Sequence, residues 1–312
     1  MPRIWIVVPA LNEAENLVEV VPAMLRQLRR YDEGSAVVVV DDGSRDGTQK
    51  VLADLAAEHG DLVRSIRHRA NEGKAVALRD GFAAALDGGA DVVVMMDADG
   101  QDDPVELPRL LERLDAGADL VTGARSAGRR DRFVKRTTSR TYNAVTRWLS
   151  GTPGTDFNSG FKVMRTDVAA DLLPYLYGEL HRYITPIAHW RGFVTGEVQV
   201  VHHPRLHGKT KYGASRFWRG FVDLMTIRFL MRYSNRPSHL FTGLGVLGMV
   251  IGVGILVYLL IDWLLGHQIG ERPLLTLGVL IFLAGLQVTI FGALAELVVA
   301  NRQATASPRR GR

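Results

Sequence analysis

The feature that most constrains the fold is a pair of long uncharged segments near the end of the chain. Leu240–Ile261 and Leu274–Ala295 each run for 22 residues without an Asp, Glu, Lys or Arg. Each segment would form a helix about 33 Å long, and the hydrocarbon core of a bilayer is about 30 Å thick. We therefore predict two transmembrane helices. A buried helical hairpin in a soluble protein would show the same pattern and stays open as the alternative.

The basic residues are concentrated next to these segments. The chain of 312 residues has a formal net charge of +5, yet residues 1–200 contain 25 Lys or Arg against 29 Asp or Glu. Residues 201–239 contain eight basic residues and one acid. A mildly acidic body excludes a general polyanion binder, so we expect no nucleic-acid partner. The basic segment is placed to meet anionic membrane lipids instead.

The same charges predict an orientation. The linker Gly266–Pro273 contains a single Arg, whereas basic residues lie before the first span and after the second. The positive-inside rule then places the part before the spans and both termini in the cytoplasm, in a two-span protein of the plasma or inner membrane. Glycines in the first span permit close helix packing, which makes a homo-oligomer plausible. They are Gly243, Gly245, Gly248, Gly252 and Gly254.

The chain contains no cysteine. This excludes a disulfide framework, a thiol nucleophile and a zinc site with thiolate ligands. Chemistry by oxygen, nitrogen and carboxylate groups remains.

Before the spans, short β-branched runs alternate with amphipathic stretches. This alternation predicts an α/β domain with a mostly parallel sheet flanked by helices. Ligands of such sheets bind beyond the carboxyl ends of the strands. The predicted strands are Ile4–Val8, Ala36–Val40, Leu62–Ile66, Asp91–Met96 and Leu120–Thr122, and the predicted helices are Glu15–Arg30, Asp46–His59, Lys74–Leu86 and Pro104–Leu114.

Acidic residues follow several of these strands. The sequence lacks both the Gly-x-Gly-x-x-Gly and the Gly-x-x-x-x-Gly-Lys-Ser/Thr phosphate-binding patterns. A carboxylate-rich crevice without such glycines needs a cation to hold a diphosphate, and Asp97, Asp99 and Gln101 offer oxygen ligands suited to Mg²⁺ or Mn²⁺. An Asp-rich turn that caps the helix starting near Pro104 is the alternative.

Six motifs in series carry a family resemblance. The chain resembles the inverting family-2 glycosyltransferases of GT-A fold, specifically the polyprenyl-phosphate glycosyltransferases, which include dolichol-phosphate mannose synthases and bactoprenol glucosyltransferases. The motifs are Val8-Pro9-Ala10-Leu11-Asn12-Glu13, Asp41-Asp42-Gly43-Ser44, Asn71-Glu72-Gly73-Lys74, Asp97-Ala98-Asp99, Asp156-Phe157-Asn158-Ser159-Gly160-Phe161 and His207-Gly208-Lys209-Thr210-Lys211-Tyr212-Gly213.

The resemblance implies roles for particular residues. Asp99 and Gln101 would ligate the metal, and Arg125 would lie near the donor diphosphate and the acceptor phosphate. Acceptor-phosphate contacts are implied for Lys135, Arg136, Ser139 and Arg140. Nucleotide-sugar contacts are implied for Pro9, Leu11, Glu13, Asp41 or Asp42, Lys74, Asp97 and Ala98, and for Arg205 and Lys211 on a loop that closes over the donor. Two positions depart from the family pattern. Family members often carry an aromatic residue at the position of Leu11 and a Leu at the position of Gly100.

The implied reaction transfers a hexosyl group, with inversion, from a UDP- or GDP-sugar to a membrane polyprenyl phosphate such as undecaprenyl or dolichyl phosphate. Because a phosphate is already anionic, the enzyme need not deprotonate it, and we assign Asp156 an orienting role before that of a base. Four other classes share parts of the pattern: a family-2 enzyme acting on a glycan or another lipid, a processive synthase, a non-catalytic nucleotide-sugar-binding scaffold, and a nucleotidylyltransferase. The last would need an N-terminal Gly-rich loop with Arg or Lys, which the sequence lacks. The sequence lacks the Gln-x-x-Arg-Trp motif, which argues against the synthase.

These inferences divide the chain into four parts. We expect residues 1–212 to form the GT-A catalytic domain, 213–238 a juxtamembrane amphipathic segment, 239–301 the transmembrane hairpin and 302–312 a basic disordered tail. Two further expectations concern the catalytic domain. Trp148 and Trp190 are predicted to be core or packing residues, and His181 either contacts substrate or caps local structure.

Overall fold

The chain forms two compact units, Met1–Ile227 and Arg228–Arg312. The computed structural model describes residues 1–125, 143–148, 150–206, 225, 228–229, 238–266 and 273–306. The predicted juxtamembrane segment lies almost entirely outside these residues, and the three predicted boundaries between the four parts of the chain stay predictions.

The first unit is built on a sheet of seven strands in the order β3-β2-β1-β4-β6-β5-β7. Strand β6 is antiparallel to its neighbours β4 and β5, while every other pairing is parallel. The strands are β1 Ile4–Ala10, β2 Ala36–Asp41, β3 Val63–Arg67, β4 Val92–Met95, β5 Leu120–Arg125, β6 Lys162–Arg165 and β7 Thr195–Val200.

Helices flank this sheet because its central strands are apolar on both faces. All residues of β2 and β4 are buried, as expected for strands covered on two sides. Helix α4 buries Leu107, Leu110, Leu111 and Leu114, the spacing of one helical face. The helices of this unit are α1 Ala14–Leu28, α2 Thr48–His59, α3 Lys74–Asp87, α4 Leu107–Asp115, α5 Thr166–Leu172 and α6 Ile184–Trp190.

The predicted fold class is confirmed, and the prediction is incomplete where strands are short. All five predicted strands and four predicted helices are present. The sequence pattern does not identify β6, which has only four residues and carries a charged residue at each end. It also does not identify β7, where Gly196 and Glu197 interrupt the apolar pattern. The sheet is therefore mixed at β6.

The second unit is a hairpin of two long apolar helices, α7 Ser238–Leu264 and α8 Pro273–Ala306. Glycines bring the two backbones together. A Cβ atom added at Gly285 of α8 would lie 2.6 Å from the Gly245 carbonyl oxygen and 2.6 Å from the Met249 nitrogen of α7. Gly245, Gly248 and Gly252 face α8 in the same way, so these three glycines serve contact within one chain.

Both helices are long and apolar enough to cross a membrane, over Leu240–Leu264 and Pro273–Val299. Only 17% and 11% of their most apolar windows are buried within the structure. A core helix of a soluble protein would be mostly buried, so the alternative of a buried hairpin is disfavoured.

Substitution at the glycine contact should destabilise the hairpin. Gly285→Leu places a side chain against the backbone of α7, and overpacking of this kind costs about 1–3 kcal/mol. We expect a lower thermal midpoint for the full chain in detergent, followed by helical circular dichroism. Gly254→Leu is the matched control, because a Cβ atom at Gly254 meets no atom within 4 Å. Equal midpoints for the two variants would contradict the observed packing.

Candidate active site

Neighbouring strands deliver their polar loops to one edge of the sheet. Strands β2, β1 and β4 are adjacent and parallel, so their carboxyl ends lie side by side. Asn12, just after β1, fastens two of these loops together. Its backbone N–H donates to Ser44 Oγ at 2.8 Å, and its side-chain oxygen accepts from the Arg45 N–H at 2.8 Å. Asn12 has φ of 55°, a left-handed conformation that asparagine tolerates better than most residues.

Asp42 is a structural residue of this edge. Its carboxylate accepts hydrogen bonds from the backbone N–H groups of Glu72 and Gly73, at 2.8 and 2.9 Å, and contacts His68 Nδ1 at 2.9 Å. The other ring nitrogen of His68 lies 3.2 Å from Asp80. Burial acts against a charged His68, but the two carboxylates outweigh it and raise the pKa of the ring. Asp42 thus ties the end of β2 to the start of α3.

Asp41 has a different environment from its neighbour. One carboxylate oxygen accepts from the Ser44 N–H at 2.9 Å. The other is buried and has no hydrogen-bond partner among the residues that the structure describes, with Arg67 Nε 3.8 Å away. A buried carboxylate oxygen without a donor has unused capacity to accept a hydrogen bond. Of the two candidates left open by the sequence, Asp41 is the one that retains this capacity.

Lys74 and Asp97 form an ion pair across the edge. Lys74 is the first residue of α3, and Asp97 follows β4; Nζ and Oδ1 are 2.5 Å apart. Burial acts to raise the pKa of Asp97, but the adjacent Lys74 ammonium outweighs it and lowers that pKa. Asp97 is therefore held as a carboxylate.

Asp99 lies two residues after Asp97, and the pKa of its carboxyl is shifted in the opposite direction. Its carboxylate accepts from the Gln101 N–H at 3.1 Å and lies 3.4 Å from Arg205 Nη2. The same Arg205 nitrogen lies 3.0 Å from Glu13 Oε1, so Arg205 bridges the loop after β1 and the loop after β4. Burial and the nearby charge of Asp97 raise the pKa of Asp99. The position consequently favours added positive charge.

The donor set fits a divalent ion that is shared with a ligand. Within the described residues, no group of three His, Asp or Glu side chains is arranged to hold a metal. Mg²⁺ characteristically uses one or two protein carboxylates together with water and substrate phosphates. Asp99, with its need for positive charge, and the Gln101 side chain match that partial shell. The Gln101 side-chain amide now donates to the His203 carbonyl at 3.4 Å.

The capping alternative is correct for the far end of the acidic loop. Asp103 accepts from the Val105 N–H at 3.0 Å and caps the short helical turn that begins at Pro104. Asp102 lies opposite His202 in an isolated bridge, with 3.4 Å between Oδ1 and Nδ1. In this acidic loop, Asp103 therefore caps a helical turn, whereas Asp97 and Asp99 belong to the candidate site.

Arg125 and Asp156 form a two-point ion pair beside these loops. Arg125, the last residue of β5, donates from Nε and Nη2 to the two oxygens of Asp156 at 2.7 and 2.9 Å. Burial acts to raise the pKa of Asp156, but Arg125 outweighs it and the pKa is lowered. The Asp156 hydrogen bond raises the pKa of Arg125 in turn. Glu197 fixes the backbone here by accepting from the Thr155 N–H at 2.6 Å.

Lys162 is a charged residue of this region that the sequence reasoning missed. It is fully buried at the start of β6, with Nζ 2.7 Å from the Ser159 carbonyl and 3.2 Å from the Phe157 carbonyl. Burial lowers its pKa to about 8, although Asp156 acts in the opposite direction. A lysine set between Phe161 and Val163 was the available sequence signal.

Two aromatic-ring predictions have different outcomes. Trp148 is 80% exposed, so the prediction that it is a core or packing residue is wrong. Trp190 is partly buried and meets Tyr175 edge to face at 5.9 Å.

Burial, followed by the charge of Lys74, lowers the pKa of His181 to about 3, so its ring is neutral. Contact between His181 and substrate stays a prediction.

The remaining candidate residues are only partly described. Ala98 is buried between Asp97 and Asp99, and Pro9 and Leu11 are half-buried at the end of β1. Lys135, Arg136, Ser139, Arg140 and Lys211 lie outside the described residues.

The mixed sheet flanked by helices is a GT-A-like fold. Residues 5–173 match the family model described as Glycosyl transferase family 2, and the chain belongs to that family. It is 32% identical to a dodecaprenyl-phosphate galacturonate synthase from Rhizobium johnstonii, over 94% of this chain and 86% of the relative. It is 28% identical to a prophage bactoprenol glucosyl transferase homolog from Escherichia coli, over 95% of this chain and 93% of the relative.

A third relative is an undecaprenyl-phosphate 4-deoxy-4-formamido-L-arabinose transferase from Pseudomonas fluorescens, 30% identical over 93% of this chain and 83% of the relative. Among solved structures, a mannosyltransferase from Pyrobaculum calidifontis in complex with GDP-Man and Mn²⁺ has a TM-score of 0.54 at 20% identity, covering 73% of this chain and 63% of that one. Glucosyl-3-phosphoglycerate synthase from Mycobacterium tuberculosis has a TM-score of 0.51 at 20% identity, covering 74% and 80%. These structures share the fold.

The two adjacent aspartates should respond differently to the same substitution. Asp42→Asn replaces one acceptor of a backbone N–H by an amide donor, and loss of a charged hydrogen bond costs about 1.5–3 kcal/mol. We expect a clearly lower thermal midpoint. Asp41→Asn can keep the Ser44 bond through its remaining oxygen and should unfold near the wild-type temperature while binding nucleotide more weakly. Thermal unfolding and calorimetric titration with nucleoside diphosphates measure the two effects. A stable Asp42→Asn variant would contradict the assignment.

Proposed function

We propose that this enzyme transfers a hexosyl group from a nucleoside-diphosphate sugar to a polyprenyl phosphate, with inversion at the anomeric carbon. The observation that carries the proposal is Asp99, a carboxylate with a raised pKa beside an arginine, at the same edge as the Arg125–Asp156 pair. With a divalent ion bound at Asp99 to offset the carboxylates, the arginines of this edge are suited to holding a diphosphate and a second phosphate.

Two further observations support the lipid acceptor. The relatives from R. johnstonii, P. fluorescens and E. coli carry names that specify dodecaprenyl phosphate, undecaprenyl phosphate and bactoprenol as their lipids, and they match this chain over nearly its whole length. The second unit also has two helices able to cross a membrane, which would keep the catalytic unit beside a lipid substrate.

For the donor, Asp99 and Gln101 would hold Mg²⁺ or Mn²⁺ together with the diphosphate oxygens. The bound ion would supply charge neutralisation to the leaving nucleoside diphosphate. Arg205 can then leave Asp99 and meet the diphosphate, because it is a long side chain with a choice of anionic partners. Asp41 accepts a hydrogen bond from the nucleoside through the oxygen that has no hydrogen-bond donor among the described residues. Both UDP- and GDP-sugars fit these contacts.

For the transfer, an oxygen of the polyprenyl phosphate attacks the anomeric carbon as the bond to the nucleoside diphosphate breaks. The acceptor is already an anion, so the protein has to position it and offset its charge. Asp156 carries a lowered pKa and both of its oxygens are bound by Arg125, which suits a residue that orients the arginine rather than a proton acceptor. Lys135, Arg136, Ser139 and Arg140 complete the proposed acceptor-phosphate contacts.

A donor panel tests this function. Purified full-length protein is incubated with undecaprenyl phosphate, Mn²⁺ or Mg²⁺, and a series of UDP- and GDP-sugars, and glycolipid is detected by mass spectrometry. We expect one donor to give a single-sugar product. Chelation should abolish transfer, and Asp99→Asn should reduce kcat/KM about 100-fold or more, the scale of a lost transition-state charge contact.

Asp103→Asn is the matched control, because it removes the same charge from the same loop and Asn can still cap the turn at Pro104. Its kcat/KM should stay within about twofold of the wild type. Activity that resists both the chelator and Asp99→Asn would exclude the metal assignment. Long products would favour a processive synthase, and transfer to glycan alone would favour the other acceptor class. Binding without turnover would favour the scaffold.

We propose further that the linker between α7 and α8 faces away from the cytoplasm, while the catalytic unit and both termini are cytoplasmic. The asymmetry of Lys and Arg supports this orientation. Placement on the cytoplasmic side would give the enzyme access to soluble nucleotide sugars.

The absence of cysteine allows a direct test of orientation. Gln268→Cys in the linker and Ser307→Cys after α8 each introduce a single thiol. A membrane-impermeant maleimide applied to intact cells expressing the protein, after outer-membrane permeabilisation in a Gram-negative host, should label the first variant, and should label the second only after lysis. The reverse pattern would overturn the orientation, and labelling of neither before lysis would place the linker inside the cell.

A further inference from the structure

A fully buried lysine lies beneath the site that carries the proposed chemistry. Lys162 has no exposed surface and occupies the first position of β6, the antiparallel strand of the sheet. It pairs in register with Met95 of β4 on one side and Thr122 of β5 on the other. These are the two strands whose ends carry Asp97 and Arg125.

The ammonium group of Lys162 holds a turn. Its Nζ donates to the carbonyls of Ser159 and Phe157 at 2.7 and 3.2 Å. The same turn is closed by the Phe161 N–H, which donates to Ser159 Oγ at 3.2 Å. Because both carbonyls bind the same ammonium group, the turn is fixed in position relative to β6, the strand that carries Lys162.

The turn touches both ion pairs of the site. At its start is Asp156, which binds Arg125 through two oxygens. At its end is Gly160, where a Cβ atom would lie 2.6 Å from Oδ2 of Asp97. A shift of this turn would therefore displace the Arg125–Asp156 pair and press on Asp97.

The charges around Lys162 explain how an ammonium group can be buried away from solvent. Carboxylates of Asp156, Asp97 and Asp102 face it from the turn and from the loop after β4, and the cations Arg125 and Lys74 face it from β5 and α3. Burying a lone charge is costly, and neighbouring opposite charges reduce that cost. Burial lowers the pKa of Lys162 to about 8, so the group is still mostly charged at neutral pH.

We infer that Lys162 is a positioning residue of the transfer reaction: its ammonium fixes the turn 156–160 and thereby sets the Arg125–Asp156 pair and Asp97 at the separation that donor and acceptor phosphates require. This inference rests on the proposed function. Lys162 makes no contact with substrate in this role, because its side chain is enclosed.

The test measures kcat and KM for the full-length protein from pH 6.5 to 9.5, with undecaprenyl phosphate and the donor that the panel identifies. For the wild type we expect kcat to fall above an apparent pKa near 8, because a neutral amine no longer attracts the Asp156 carboxylate and its two N–H groups bind the carbonyls more weakly than an ammonium does. Lys162→Met should lower kcat at pH 7 about 100-fold, the scale of a misplacement of about 1 Å, and should lack the alkaline fall. Donor KM should change less than about threefold. Lys162→Arg keeps the charge at every pH used, so it should recover part of the lost kcat without that fall.

Unfolding does not account for the expected alkaline fall. The native pKa of Lys162 lies below the value of 10.5 for an exposed lysine, so the unfolded chain binds more protons between about pH 8 and 10.5. Stability contributed by this group therefore rises with pH across that window while activity falls. Thermal unfolding at pH 7 and 9 checks the sign.

Arg165→Met is the matched control, since Arg165 ends the same strand and its side chain is 45% exposed. Its kcat and pH profile should stay close to those of the wild type. A Lys162→Met variant with kcat within twofold of the wild type, or with the alkaline fall unchanged, would overturn the inference while leaving the proposed function intact. Failure of the wild type to glycosylate undecaprenyl phosphate with any donor would overturn both.

Discussion

The site depends on the crowding of carboxylates at one edge of a parallel sheet. Like charges brought together in partly buried positions repel, and each must be offset or neutralised. In the described structure the offset comes from cations in distant parts of the chain. Lys74 pairs with Asp97, Arg125 with Asp156, and Arg205 with Asp99. These pairs join segments that the chain order separates by as many as 106 positions, and the site exists only when the whole catalytic unit is folded.

The local environment gives aspartate side chains that are close in sequence different hydrogen-bond partners and different pKa shifts. Asp41 and Asp42 are consecutive and both are buried, yet Asp42 accepts from two backbone N–H groups and contacts His68, whereas one oxygen of Asp41 has no hydrogen-bond donor among the described residues. Asp97 and Asp99 are also close in sequence, but a lysine lowers the pKa of one while burial raises that of the other. The residue type alone could not assign these roles.

Much of the sheet and its functional edge could be predicted because both follow from short-range patterns. Continuous apolar runs identify β1, β2 and β4, and parallel strands place their carboxyl ends together. The pattern fails at β6, whose end charges conceal a buried strand, and it fails for Lys162, since a lysine is ordinarily a surface residue. Trp148 shows the converse, an aromatic residue that sequence places inside and the structure leaves exposed. Pairings such as Arg205 with Glu13 depend on tertiary contacts that no local pattern encodes.

The bridge made by Arg205 has a thermodynamic consequence. Its guanidinium lies 3.0 Å from Glu13 and 3.4 Å from Asp99, so a cation arriving alone at Asp99 must compete with a charge that the protein already supplies. A diphosphate arriving alone would meet Asp99 and Glu13 as repelling neighbours. When the two arrive together, the anion gives the displaced arginine a new partner, and part of the lost interaction energy is recovered. The contact thus acts as a coupling between two ligands, and by linkage each favours the binding of the other.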